Sequence, residues 1–161
     1  HALVDLRRLC RDVTQSVRAL ADEAGVRIVD ESRAHAGPLW ADGDADQLRQ
    51  AVLNLALNAV EASREGDRVA LRAYEMQDRD ATMRVIEVSD TGPGIAPDDL
   101  AQIFEPFFTT KPTGTGLGLA VADNIVKAHH GHITVECSAQ RGTAFRVLLP
   151  GTGVPAGEAG T

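Results

Sequence analysis

The chain has 161 residues, of which 43% are hydrophobic and 24% are charged, and this composition indicates one globular domain rather than a disordered chain. With 16 Lys and Arg against 23 Asp and Glu, the net charge is −7, which argues against non-specific nucleic-acid binding because such binding needs cations to neutralise phosphates. The two cysteines lack metal-ligand spacing, which predicts no disulfide framework and no zinc site and favours a reducing, cytoplasmic compartment. No apolar run approaches the ~20 residues of a membrane-spanning helix, so we expect a domain that is not inserted in a membrane.

The first half of the chain reads mainly as two helices with short strands between them. Apolar residues recur at spacings of three and four after Asp5, which is a plausible N-cap. Asp44 with Gln47 three residues later resembles a capping box at the start of the second helix. The predicted elements are a helix over 5–24, a strand over 26–32, a loop over 33–42 that leads into a brief strand, and a helix over 44–64.

The second half of the chain contains two predicted hairpins. Its predicted elements are strands over 68–76 and 83–90 joined by a turn at 77–80, a short helix over 97–104, a loop over 105–115, a helix over 116–129, and strands over 132–138 and 143–149. Hairpins imply antiparallel pairs, so we expect an α/β two-layer sandwich with a mixed, mostly antiparallel sheet and helices on one face. Residues 1–150 are expected to form the domain, and the Gly-, Ala- and Pro-rich 151–161 a disordered tail or linker.

The second helix carries polar residues within its apolar stripe. Asn54, Asn58 and Glu61 are four and then three residues apart and therefore share one narrow helix face. This face either presents oxygens to a hard cation such as Mg²⁺ and its phosphates, or is a set of satisfied core amides or a solvated stripe.

A carboxylate ends the strand over 83–90. Alternation places Asp90 on the same face as Ile86 and Val88, which is the face that the helices are expected to cover. An ionised carboxylate there only accepts hydrogen bonds and would suit an exocyclic amine such as that of adenine, with Gly92 and Gly94 letting the backbone approach a flat ring. The alternative is an ordinary strand-to-turn transition.

Glycines and aromatic residues surround the start of the helix over 116–129. The run from Gly114 to Leu119 has three glycines at a spacing of two and continues into this helix, so it is either a phosphate cradle or a flexible hinge. The segment 104–111 contains three of the four phenylalanines and ends on Lys111. It reads as an aromatic-anchored lid with a phosphate-binding lysine, or as a small satellite core with a surface lysine.

Four segments in this order resemble the ATP-binding domain of sensor histidine kinases, in the GHKL group. Residues 54–62 resemble the N box, 90–95 the first glycine box, 104–108 the F box and 114–119 the second glycine box. The resemblance covers about residues 5–150 and implies the Bergerat fold, and the short stretch from 108 to 114 resembles the nitrogen-regulation type of these kinases. His130 stands where the family's His-Gly-Gly has its first glycine.

The resemblance implies roles for individual residues. Asn58 would bind Mg²⁺, Asp90 would bond the adenine amine, Thr143 would support the adenine end, and Asn54 and Lys111 would take part in catalysis at the phosphates. The other residues expected to bind the nucleotide are Gly92, Gly94, Ile95, Phe107, Thr110, Gly114, Thr115, Gly116, Leu117, Gly118 and Leu119. Glu61 is given a secondary role at most.

The resemblance also implies an activity and partners. Mg-ATP would donate its γ-phosphoryl group to a histidine on a dimerisation domain of the same kinase, with a response regulator downstream. The ATPase members have a glutamate at the position of Asn54, and an amide cannot act as a general base, so Asn54 favours a kinase over a hydrolase.

None of the five histidines lies in the family's phosphoacceptor pattern. We therefore expect a chain that carries the catalytic domain only, is monomeric, and binds ATP or ADP with little autophosphorylation. The domain is expected in the cytoplasm, and a membrane anchor elsewhere in the parent protein is compatible with this expectation. The alternatives are a regulatory nucleotide-binding module and a serine kinase of the anti-sigma type.

Overall fold

The computed structural model describes residues 2–32, 37–106, 108, 117–138 and 142–151. The elements are β1 (Ala2–Asp5), α1 (Leu6–Glu23), β2 (Arg27–Asp30), β3 (Trp40–Gly43), α2 (Ala45–Ala62), β4 (Arg68–Asp78), β5 (Ala81–Asp90), α3 (Pro97–Leu100), α4 (Gly118–Ala128), β6 (His132–Ser138) and β7 (Gly142–Pro150). None of the described helices combines the length and the apolar character needed to cross a membrane.

A five-stranded sheet in the order β2-β4-β5-β7-β6 forms one layer. The β2–β4 pair is parallel and the other three pairs are antiparallel. α1 packs on β2 and β4, α2 on β4 and β5, and α4 on β6 and β7. The predicted two-layer sandwich with a mixed, mostly antiparallel sheet is therefore confirmed.

The core lies between the helices and one face of the sheet. Leu71, Ile86, Val88 and Val147 are buried on that face, as alternation along the strands predicts. α1 buries a stripe of residues that includes Cys10, which is free and whose pKa is raised by burial. The second cysteine, Cys137 on β6, is also free.

The opposite face of the sheet carries a ladder of charged side chains. Glu87, 9% exposed, accepts hydrogen bonds from Arg72 Nε and Arg146 Nε, each at 2.8 Å, and Arg146 Nη1 also contacts Glu136 at 2.8 Å. Burial alone would raise the pKa of Glu87, but the hydrogen bonds from the two arginines outweigh it and hold that pKa below its usual value. The ionised form of Glu87 therefore stabilises this face.

The helix N-caps agree with the sequence. The Asp5 side chain accepts a hydrogen bond from Arg7 N at the start of α1, and Asp44 Oδ1 accepts one from Gln47 N at the start of α2. α2 ends at Ala62 rather than at 64, because Ser63 has an extended backbone.

Several element boundaries differ from those predicted. β1 was not expected; it exists by pairing with β3 in a separate two-stranded sheet, with Leu3 opposite Asp42. The turn at 77–80 is shorter than predicted, because the polar residues Gln77 and Asp78 continue β4 and Arg79 takes a positive φ of 56°. The helix over 97–104 is regular only to Leu100, and turns follow. α4 begins at Gly118 rather than at 116.

The end of α4 shows how the chain accommodates a histidine in place of a glycine. His130 has a φ of +63°, in the left-handed region that glycine occupies without strain. His130 N donates to Lys127 O at 3.0 Å and Gly131 N donates to Val126 O at 3.0 Å, so the helix still ends in a compact left-handed turn. His130 thus forms this turn at a cost in backbone strain.

Candidate nucleotide-binding site

The end of β5 places a carboxylate at the edge of the core. Asp90 follows Ile86 and Val88 on the covered face and is 5% exposed, as the alternation predicts. Its Oδ1 accepts a hydrogen bond from Gly92 N at 2.9 Å, so the loop after β5 fixes the orientation of the carboxylate. A buried carboxylate held in this way can select a ligand that donates hydrogen bonds.

The neighbouring strand supplies Thr143, which lies directly opposite Asp90 and is 4% exposed. Gly142 precedes it with a φ of +81°, and a Cβ there would lie 2.0 Å from Asp90 O. Gly142 thus lets β7 approach the end of β5, a role that sequence reasoning missed. The signal was the glycine beside Thr143, but only the strand register shows what it faces.

The loop after β5 runs between the end of α2 and β6. A Cβ on Gly92 would lie 3.1 Å from Ala62 O and 3.1 Å from Asp90 Oδ1, so glycine allows the close approach here. Gly94 has a φ of +84°, and Ile95 O lies 3.5 Å from the Sγ of Cys137 on β6. The contact with Cys137 was not foreseen, and it holds Ile95 beside the row formed by Asp90 and Thr143.

Asn54, Asn58 and Glu61 lie on one face of α2, as their helical spacing predicts. Asn54 and Asn58 are partly buried and Glu61 is exposed, next to the buried Leu55 and Ala59. α2 packs on both β5 and α4, so this face borders the end of the sheet and α4.

Asn54 joins α2 to α4. Its Nδ2 donates to Gly118 O at 3.1 Å, and its Oδ1 accepts from Gln50 Nε2 at 2.8 Å. The amide is thus placed beside the first residue of α4, and both of its polar atoms take part in hydrogen bonds. The hydrogen bonds of Asn54 position the start of α4, and its amide has no proton-accepting ionisation near neutral pH.

The start of α4 presents backbone amides. Leu117, 38% exposed, precedes the helix without a side-chain cap, and Val121 N makes the first bond within the helix, to Leu117 O at 2.9 Å. The N–H groups of Gly118 and Leu119 come before that bond and have no acceptor inside the helix. Such a helix start attracts anions through its amides and its dipole.

The predicted lid is described only in its first part, at residues 104–106 and 108. Phe104 makes an edge-to-face contact with Phe145 at 6.2 Å between ring centroids, and Phe108 packs against the core. This contact supports an aromatic anchor for the segment. The predicted site residues Phe107, Thr110, Lys111, Gly114, Thr115 and Gly116 lie outside the described residues.

The side chains near the proposed site offer few ligands for a metal ion. Among the described residues, no group of three or more His, Cys, Asp and Glu side chains could hold one. A Mg²⁺ ion prefers six oxygen ligands and commonly takes only one or two from protein side chains, with water and phosphate supplying the rest. The single amide oxygen of Asn58 fits a metal that arrives with a nucleotide rather than one held by the protein alone.

Comparison with known proteins gives the class of the chain. Residues 43–153 match the profile of the histidine kinase-, DNA gyrase B-, and HSP90-like ATPase family. The match spans well over half of the chain, so the chain belongs to this family.

Within this family, the chain is similar to sensor histidine kinases. The sensor histidine kinase ZraS of Salmonella typhimurium is 47% identical over 108 residues, which cover 66% of this chain and 22% of ZraS. The mycobacterial sensor histidine kinase MprB has 31% identity and a TM-score of 0.80, with 94% of this chain and 97% of that chain covered. Full-length ShkA in complex with AMPPNP has 35% identity and a TM-score of 0.81, and the match covers 97% of this chain and 32% of the ShkA chain. The chain thus has the structure of a sensor histidine kinase catalytic domain and spans about a fifth of the length of its curated relative ZraS.

Proposed function

We propose that this domain binds Mg-ATP between α2 and the end of β5 and transfers the γ-phosphoryl group to a histidine on the dimerisation domain of the same kinase. The observation that carries the proposal is the buried Asp90 carboxylate, held by Gly92 N beside Thr143 at the edge of the core. The family membership and the AMPPNP complex of ShkA support nucleotide binding by the domain.

The adenine end would be formed by the strand ends and the glycine loop. The Asp90 carboxylate would accept a hydrogen bond from the exocyclic amine of adenine, and Thr143 would support that contact from the opposite strand. Gly92 and Gly94 let the loop pass close to the end of α2 and to β6, and this loop would form one wall beside the flat ring. Ile95 packs against the core in the same loop. Because a carboxylate cannot donate a hydrogen bond when ionised, this end would favour a base with an amine over one with a carbonyl.

The phosphate end would lie between the asparagines of α2 and the start of α4. Asn58 would give an oxygen to Mg²⁺, and the amides of Gly118 and Leu119 would face the phosphates. Lys111 would add a positive charge from the lid. The other residues expected to bind the nucleotide near it are Phe107, Thr110, Gly114, Thr115, Gly116 and Leu117. Mg²⁺, when bound, neutralises phosphate charge.

The reaction requires mainly positioning and charge neutralisation. A ring nitrogen of the acceptor histidine would attack the γ-phosphorus, and the bond to the β,γ-bridging oxygen would break, so ADP leaves and phosphohistidine forms. The domain supplies no general base at Asn54, because an amide has no proton-accepting ionisation near neutral pH. Hydrolysis by water is therefore disfavoured relative to transfer.

We also propose the partner and the cellular location of the parent protein. A response regulator would take the phosphoryl group from the phosphohistidine, and the domain would work in the cytoplasm. With its net charge of −7, the domain would not engage nucleic acid.

Mixing the domain with the parent kinase's dimerisation domain and γ-labelled ATP tests the activity. We expect an acid-labile phosphohistidine on the dimerisation domain and little label on the catalytic domain alone. An acid-stable phosphoserine would instead indicate an anti-sigma type of kinase. ATP binding without transfer would indicate a regulatory module. The matched control replaces the acceptor histidine by glutamine and should receive no label.

A further inference from the structure

A buried histidine outside the proposed site joins the end of α4 to the start of α2. His129 is 5% exposed and follows the last residue of α4. Its Nδ1 lies 2.8 Å from Ile125 O and its Nε2 accepts a hydrogen bond from Asp44 N at 3.0 Å. Since Ile125 O can only accept and Asp44 N can only donate, these two contacts assign the donor role to Nδ1 and the acceptor role to Nε2.

This contact replaces half of the capping box predicted at α2. In a capping box, the side chain three residues after the N-cap bonds back to the N-cap N–H. Here Gln47 N donates to Asp44 Oδ1, but the N–H of Asp44 donates to His129 rather than to the side chain of Gln47. A local bond is thus exchanged for one that spans 85 positions of the chain and links two helices.

α4 is therefore held to α2 at both of its ends. At its start, Gly118 O accepts from Asn54 Nδ2 at 3.1 Å, and at its end His129 accepts from Asp44 N. The fit at the end is tight, because a Cβ on Gly43 would lie 2.7 Å from His129 Cδ2. A rigid helix fixed at two points cannot slide or tilt freely relative to its neighbour.

We propose that His129 is a positioning residue of the nucleotide site, holding α4 on α2 so that the amides at the start of α4 stay over the asparagines of α2. The inference rests on the proposed function, since it assigns those amides to the phosphates. His129 itself contacts no phosphate, because it lies at the opposite end of an 11-residue helix, about 16 Å along the axis. Its loss would thus weaken contacts to phosphates and leave the adenine end, built by β5 and β7, unchanged.

The test compares ATP with adenosine in His129→Ala and His129→Gln. Calorimetry gives the ATP Kd, an NMR titration gives the adenosine Kd, and both use a temperature at which circular dichroism shows folded protein. For His129→Ala we expect an ATP Kd about tenfold higher with the adenosine Kd unchanged, the size that one buried hydrogen bond can carry. The Gln variant keeps an acceptor near the position of Nε2 and should restore most of the ATP affinity.

Two further variants complete the design. Gly43→Ala leaves the imidazole in the chain but pushes it from Asp44, so it should also raise the ATP Kd selectively. If His129→Ala does not fold, Gly43→Ala tests the positioning role of His129 on its own. His132→Ala, at an exposed position of β6, is the matched control and should bind like the wild type.

The outcomes separate this inference from the proposed function. If the wild type does not bind ATP, the proposed function fails and the inference fails with it. If the wild type binds ATP and the His129 and Gly43 variants bind it equally well, only the inference is overturned. Equal losses for ATP and adenosine would also overturn it, because they would show general damage to the fold.

Discussion

Replacing Asp90 by asparagine should remove most of the affinity for ATP while leaving the fold intact. Asparagine has nearly the same shape, and its Oδ1 can still accept the hydrogen bond from Gly92 N, which is 2.9 Å long in the wild type. Its Nδ2 would then point a donor at the amine of adenine, which is itself a donor. The variant thus exchanges an attractive contact for an opposed pair of donors.

The burial of Asp90 sets the magnitude. At 5% exposure, water cannot replace the lost acceptor, so the full value of a hydrogen bond to a charged group, about 1.5–3 kcal/mol, applies. Since 1.4 kcal/mol corresponds to a factor of ten, the Kd for ATP should rise about 10- to 100-fold. UTP presents an acceptor at that edge of its base, which the Nδ2 donor of the asparagine can pair with, so its weaker binding should not weaken further.

Calorimetry with ATP and UTP, in wild type and in Asp90→Asn, measures both effects. Asp78→Asn, at the exposed end of β4, is the matched control and should bind ATP as the wild type does. An equal loss for the two nucleotides, or an unchanged ATP Kd in a folded variant, would refute the assignment of Asp90 to adenine.

Three further substitutions test other parts of the structure. Asn58→Ala should remove the dependence of ATP affinity on Mg²⁺, measured by calorimetry with MgCl₂ and with EDTA, and a retained dependence would count against its role as a metal ligand. Glu87→Gln should lower the free energy of unfolding by about 2 kcal/mol at pH 7. Because the pKa of Glu87 is lowered from 4.5 in the folded state, the stabilisation by its ionised form is present above pH 4.5 and is lost as the pH falls through the folded pKa. Urea melts of the wild type and the variant should therefore converge in acid. A difference in stability that persists in acid would contradict this role. His130→Gly should relieve the left-handed backbone and raise the Tm by about 2–4 °C in a thermal melt, whereas a lower Tm would show that the histidine side chain matters more than its φ of +63°.

The features that the sequence predicted correctly are those with local signals. The shared face of Asn54, Asn58 and Glu61 follows from helical spacing, and the burial of Asp90 follows from alternation along β5. The N-caps of α1 and α2 involve residues only two or three positions apart. Patterns of this kind need no knowledge of the tertiary fold.

The features that were missed depend on long-range contacts. β1 has four residues and exists by pairing with β3, about 40 positions later. The role of Gly142 depends on the register that sets β7 against Asp90, and His129 bonds a residue 85 positions away. Polarity at 77–80 indicated a turn, but those residues are polar because the hairpin extends beyond the core, so Gln77 and Asp78 remain in β4.

A crystal structure of the domain with Mg²⁺ and a non-hydrolysable ATP analogue tests the central claim most directly. We expect the exocyclic amine of the base to lie about 3 Å from the Asp90 carboxylate, with the phosphates between Asn58 and the start of α4. An analogue bound elsewhere, or side chains packed into the space between α2 and the end of β5 at saturating analogue, would contradict it.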